Sequence, residues 1–266
     1  MPLDRLAARL ATVAGRKPSG RMPPREGPRI FGVGAAKTGT HSLGEMFAHR
    51  VPSAHEADCE ALIELVLRRE RDGSEPVTRA LRRRDRERGL KIDASQVNIY
   101  LLDELAALFP DSRYVLTVRD PRDWLRSMID DSLRRTPSET WMRFRDHRFG
   151  AKADAPREAP LARRGLHSLA GYLGYWRHSI EVVLARVPHE RLLIVATPDL
   201  LSRAPEIAEF CGMSGVEAAP AKAHAFSNPE RFGVLEEIEA GHLDDAIAAA
   251  RDGLSDALQT FGPGMR

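Results

Sequence analysis

Cysteine is scarce in this chain, with only Cys59 and Cys211 among 266 residues. Neither has metal-like spacing, and two residues make no disulfide framework, so an apolar core must hold the fold. A reducing, cytoplasmic setting is therefore expected, and no metal. An excess of one charge is also missing. The formal net charge is +2, which gives no bulk field to recruit nucleic acid, so only local positive clusters can matter. The most basic stretch, 82–88, sets its arginines around Asp85 and Glu87. It lacks the aromatics of an RNA-binding surface and reads as a solvated helix face with internal pairing. Long apolar runs are absent too. Nothing approaches the ~20 residues of a bilayer span, so no integral membrane segment is expected. Residues 3–13 mix leucine and alanine with arginine and aspartate and lack a secretory core. They are expected to form a docked or frayed amphipathic segment, followed by a linker over 15–28. No internal repeat is present.

What is present begins with residues 30–43, Ile-Phe-Gly-Val-Gly-Ala-Ala-Lys-Thr-Gly-Thr-His-Ser-Leu. An apolar strand runs into a small-residue loop and a helix start. Small residues allow a tight turn whose N–H groups can converge on an anion. Thr38, Thr40 and Ser42 add hydroxyls, and Lys37 adds an ammonium. The nucleoside-triphosphatase loop would end in Gly-Lys-Ser/Thr. Here Lys37 precedes Gly39, and that dipeptide is missing.

Residues 114–127 read Tyr-Val-Leu-Thr-Val-Arg-Asp-Pro-Arg-Asp-Trp-Leu-Arg-Ser. Residues 114–118 suit a strand buried on both faces. Asp120 then fits a helix N-cap with Pro121 at the first helical position. Ser127 would lean back toward Arg119 at the strand end. A guanidinium fork plus a hydroxyl suits a terminal phosphate, although Arg119 could instead pair with Asp120 or Asp123.

The first segment resembles the 5′-phosphosulfate loop of sulfotransferases that use 3′-phosphoadenosine 5′-phosphosulfate (PAPS), usually Pro-Lys-Ser/Thr-Gly-Thr-Thr. Ala36 replaces the proline, and His41 replaces the second threonine. The second segment resembles the same family's 3′-phosphate motif, and the two occur in the family's order. The resemblance covers roughly residues 29–212. It implies that Lys37, Thr38, Gly39, Thr40, His41 and Ser42 hold the 5′ end of PAPS, with Arg119 and Ser127 at its 3′-phosphate. Lys37 would also neutralise the leaving oxygen. The family's C-terminal Arg-Lys-Gly loop is missing, with Lys222 or Arg231 as weak substitutes and His224 in the same segment.

Strands are also expected at 90–93 and 191–196, and helices at 58–69, 77–88, 98–108, 169–187 and 244–258. This alternation predicts an α/β fold in three layers, a parallel sheet flanked by helices. The resemblance makes it P-loop nucleotide-kinase-like. One domain over 29–266 would follow an extension at 1–28. Residues 151–164, with two prolines, read as a mobile loop or lid. For an acceptor hydroxyl, Glu56 is the preferred base with His55 orienting it, or His55 acts itself. The alternative is that both belong to an N-cap cluster before the helix at 58. Asp93 and Ser95 are candidate acceptor contacts or caps. The expected activity is sulfuryl transfer from PAPS to a hydroxyl, less readily an amine, of a small molecule or carbohydrate. A P-loop kinase and a non-catalytic nucleotide-binding module are the rivals.

Overall fold

A computed structural model describes residues 27–219, 231–254 and 258. Five apolar segments pair as parallel strands: β1 (Ile30–Gly32), β2 (Ser53–His55), β3 (Ile92–Ala94), β4 (Arg113–Val118) and β5 (Leu192–Ala196). Their order is β2-β3-β1-β4-β5. Alternate residues of each strand enter opposite layers, as the two-residue strand period requires. Ile30, Val115 and Val195 pack with Leu43, Phe47 and Ile207 on one side. Phe31, Tyr114, Leu116 and Ile194 pack with Trp124, Leu125 and Ile180 on the other. Helices therefore cover both faces of the sheet.

In chain order the helices are α1 (Thr40–Met46), α2 (Cys59–Asp72), α3 (Glu75–Arg88), α4 (Leu102–Leu108) and α5 (Pro121–Arg134). They continue with α6 (Glu139–Phe149), the short α7 (Ala159–Ala162), α8 (Leu169–Arg186), α9 (Ala204–Phe210) and α10 (Ala240–Arg251). From β1 the chain moves toward β2 and β3, and from β4 it moves the other way to β5. Neighbouring strands whose connections part in this way open a crevice beyond their carboxyl ends. Lys37 and Arg119 follow those two strands.

Most expected elements form, within a few residues of their expected ends. Residues 98–108 divide into a 3₁₀ turn at Asn98–Tyr100 and α4. The closing helix begins earlier than 244, because the Glu239 carboxylate accepts from the N–H groups of Gly241 and His242. Residues 255–257 lie outside the described residues, as do 1–26.

Two expectations are corrected. Residues 151–164 are built rather than mobile: Lys152 bridges to His167, Pro156–Glu158 form a 3₁₀ turn, and α7 follows. Leu161 is fully buried, and the Glu158 carboxylate accepts from the Leu169 N–H at 3.1 Å. Pro156 starts the turn, and Pro160 lies at the start of α7, so these prolines begin helical turns. The arginine run is not merely a solvated face either. Arg84 is buried against Asp93 on β3, with Nη2 2.9 Å from Oδ1. Asp85 instead pairs with Arg29, at 2.7 Å.

Candidate active site

The loop after β1 is shaped by how little room it has. A Cβ on Gly34 would lie 2.0 Å from Thr117 Oγ1 and 2.7 Å from the Thr117 carbonyl. Backbone cannot retreat from such an overlap, and overpacking of this kind costs ~1–3 kcal/mol or more. Gly34→Ala is therefore expected to lower stability by roughly 3 kcal/mol, seen as a lower urea midpoint. An unchanged midpoint would show that the loop adapts. Lys37, at φ 66°, and Gly39, at φ 103°, both adopt the left-handed conformation. Glycine takes it without strain, but lysine must be held there.

Four successive carbonyls of this loop each meet a side-chain donor. Thr38 Oγ1 donates to Ala35 O at 2.7 Å, and Trp124 Nε1 to Ala36 O at 2.7 Å. Arg119 Nη1 donates to Lys37 O at 3.3 Å, and Thr197 Oγ1 to Thr38 O at 2.5 Å. In a trans peptide the N–H points opposite the carbonyl. Anchoring these carbonyls therefore leaves the N–H groups of Ala36, Lys37 and Gly39 on the unanchored edges.

The Lys37 ammonium reaches Asp131 Oδ1 at 3.3 Å. The same oxygen receives Arg134 Nη2 and Arg135 Nε, each at 3.0 Å. Burial pushes the Lys37 pKa below its ordinary value, although Asp131 opposes the shift. Burial also works against ionisation of Asp131, but Lys37 and the two arginines outweigh it and hold its carboxyl below its usual value. Sequence reasoning missed Asp131. Its signal was its place one turn beyond Ser127 on the same helical stripe.

Arg119 directly follows β4, at the strand end as expected. Asp120 Oδ1 caps α5 by accepting from the N–H groups of Arg122 and Asp123, at 2.9 and 3.1 Å. Asp120 pairs with Arg251, and Asp123 with Arg126. Among the described residues Arg119 forms no ion pair. Its carbonyl accepts from Trp176 Nε1 at 3.0 Å, which steadies the strand end. Burial lowers its pKa, with the charges of Arg231 and Arg126 acting in the same direction. Ser127 is buried on α5. Arg231 lies 3.6 Å from Asp130. Together with Arg126 it borders an open cleft of about 420 Å³. Lys222 and His224 lie outside the described residues.

On the other side, His55 Nε2 lies 3.2 Å from Thr40 Oγ1 and 3.9 Å from Glu56 Oε1. The His41 ring meets the His55 ring edge-on, with centroids 4.8 Å apart. Gln96 donates its amide to Glu56 and accepts from Arg148 Nη1. Glu56 is a further left-handed residue, at φ 53°. Burial depresses the pKa of both histidines, so each is neutral near pH 7.

The geometry does not favour acceptor roles for Asp93 and Ser95. Both are buried; Asp93 is bound by both terminal nitrogens of Arg84, and Ser95 Oγ accepts from the Val97 N–H at 3.1 Å. Removing one partner of a buried ion pair costs ~3–5 kcal/mol. Asp93→Ala should therefore destabilise the protein by about that amount in urea unfolding. A loss below ~1 kcal/mol would mean that Arg84 finds water. Among the described residues, no group of three or more His, Cys, Asp or Glu could hold a metal ion. None of their helices is long and apolar enough to cross a membrane.

Sheet order, loop and strand-end arginine define a P-loop-like α/β protein. The chain belongs to the sulfotransferase domain family, whose pattern matches residues 29–199. No curated protein matches it. Among solved structures it is similar to a sulfotransferase of Alicyclobacillus acidocaldarius, at 16% identity over 88% of this chain and 98% of the other, TM-score 0.47. It is also similar to the sulfotransferase STF1 of Mycobacterium tuberculosis, at 14% identity over 84% and 77%, TM-score 0.47. A mouse sulfotransferase complexed with PAP aligns at 13% identity over 98% and 95%, TM-score 0.43. Likenesses this distant assign neither donor nor acceptor.

Proposed function

We propose that the protein transfers a sulfuryl group from PAPS to a hydroxyl, less readily an amine, of a small molecule or carbohydrate. The observation that carries this reading is the hydrogen bond from Arg119 to the carbonyl of Lys37. It joins the loop after β1 to the end of β4, and a nucleotide phosphorylated at both ends would need both segments on one rim. The cramped glycine and anchored carbonyls fit a loop that binds through its backbone. Lys37, Thr38, Gly39, Thr40, His41 and Ser42 would hold the 5′ end. Arg119 and Ser127 would take the 3′-phosphate, with Arg126 and Arg231 adding charge nearby.

The donor supplies an electrophilic sulfuryl group: its S–O bond to the 5′-phosphate breaks as the acceptor oxygen bonds to sulfur, and the acceptor proton passes to a base. Glu56 is that base in this reading. Gln96 holds its carboxylate by a hydrogen bond, His55 stands 3.9 Å from it, and Thr40 links His55 to the loop. Lys37 neutralises charge on the departing phosphate oxygen. The charges in this chemistry are met by cationic side chains and N–H donors. A cytoplasmic setting belongs to the same reading, since both thiols are free and buried, a state that reducing conditions preserve.

Calorimetry with 3′-phosphoadenosine 5′-phosphate (PAP) and ADP tests the nucleotide assignment. PAP should bind more tightly than ADP, with or without magnesium. Hydrogen bonds to charged groups are worth ~1.5–3 kcal/mol. Arg119→Gln should thus weaken PAP by about 10- to 100-fold and leave ADP little changed. Equal losses for both ligands would take Arg119 away from the 3′-phosphate.

A further inference from the structure

The helix α6 holds two arginines that the proposed chemistry leaves unused. Arg145 and Arg148 are one turn apart, on neighbouring positions of a helix face. Among the described residues, neither pairs with a carboxylate. Arg148 is packed over aromatic rings, with its guanidinium carbon 4.4 Å from the Phe149 centroid and 5.3 Å from that of Tyr175. Its Nη1 is spent on the neutral amide of Gln96, and its buried Nε has no partner. Arg145 is half-buried. The nearby charges acting on it are Arg148 and Arg135, which repel it, and Asp131, which attracts it.

Asp131 cannot balance this group. It already receives Lys37, Arg134 and Arg135. Glu56 is the carboxylate that Gln96 links to Arg148, and a general base needs its charge for the proton. Burial holds His41 and His55 neutral, so they add nothing at pH 7. Half-burying arginine without an anion costs free energy that a stable fold rarely concedes without use.

The position of the pair gives it meaning. Arg148 leads through Gln96 to Glu56, while Arg145 stands near Asp131, the partner of Lys37. One arginine is thus linked by hydrogen bonds to the proposed base, and the other acts on the carboxylate that holds the leaving-group lysine. Resting on the sulfuryl-transfer reading, we infer that the acceptor is an anion. It carries a carboxylate, sulfate or phosphate group close to the hydroxyl that is modified, and Arg145 and Arg148 bind that group. Planar guanidinium forks suit such oxyanions, and the aromatic bed beneath Arg148 keeps its fork in place. Neutral alcohols would leave both cations uncompensated, which makes the pair a selectivity device.

Inorganic sulfate titrated into PAP-saturated protein, read by calorimetry, is the test. PAP keeps the nucleotide subsites filled, so sulfate reports the remaining site. Wild-type protein should bind it saturably, and Arg145→Gln/Arg148→Gln should weaken it at least tenfold with PAP affinity intact. Arg145→Lys/Arg148→Lys retains the charge and should recover most of the binding. Arg143→Gln, on the same helix but bonded to Glu64, should leave it unchanged. Absence of saturable sulfate binding by the wild-type complex, or equal binding by the double Gln variant, overturns the inference while the nucleotide reading stands. Matched losses of sulfate and PAP would reassign the arginines to the donor. If wild-type protein bound no PAP, the transfer reading would fall first, and the anionic acceptor with it.

Discussion

Lys37→Ala is expected to lower kcat by about 10²- to 10³-fold, the loss typical of removing one preorganised donor to developing charge. Affinity for PAP should fall much less. The difference arises from where the ammonium stands. Before reaction Lys37 already has a carboxylate partner in Asp131 and a depressed pKa from burial. Ground-state binding of an anion must compete with that ion pair, so it gains little. As negative charge grows on the leaving oxygen the competition shifts, and the benefit appears in the transition state. Single-turnover rates and PAP calorimetry on one protein preparation separate the two effects. Equal losses in rate and affinity would count against a leaving-group role. The methylene stem of Lys37 matters less than its charge, so Lys37→Arg should recover part of the rate if the loop tolerates the larger head.

Glu56→Gln should cost about 10²- to 10⁴-fold in turnover, the range for losing a general base. His55→Ala should cost less, about tenfold, if the imidazole only positions the carboxylate. Glutamine keeps the shape and can still meet Gln96 through a flipped amide, so its effect isolates the charge. The pH profile separates the two candidates independently. Burial lowers the His55 pKa below its ordinary value of 6.5, so this histidine is deprotonated, and able to accept a proton, at neutral pH. If it were the base, activity would fall only as pH dropped below that value, and His55→Ala would erase this acid limb. Under the Glu56 assignment His55→Ala leaves an acid limb in place. Undiminished turnover in both variants would remove this segment from the chemistry.

The parts legible in the sequence were those written in neighbouring residues. Asp120 followed by Pro121 is a local cap signal, and α5 starts there. The lysine-first loop is a short string of small and hydroxylated residues, and it follows β1 as expected. What stayed hidden depends on partners far apart in the chain. Asp131 meets Lys37 across 94 positions, and Thr197 meets the Thr38 carbonyl across 159. No period or spacing announces such contacts. Charge patterning misled at Arg84, because its partner Asp93 lies on a strand outside the run. Proline misled at 151–164, since it starts helical turns as readily as it breaks helices. Glu56 and Lys37 carried no sign of their left-handed backbone, which is usually the province of glycine. The aromatic bed of Arg148 was hidden in the same way, because Tyr175 meets it only in the folded chain.

One crystal structure of the protein with PAP bears most directly on whether a single nucleotide spans the loop after β1 and the end of β4. The 5′-phosphate should contact backbone N–H groups within residues 36–42, and the 3′-phosphate of the same molecule should contact the Arg119 guanidinium and the Ser127 hydroxyl. A nucleotide seated elsewhere, or one that leaves Arg119 untouched while occupying the loop, would contradict the assignment.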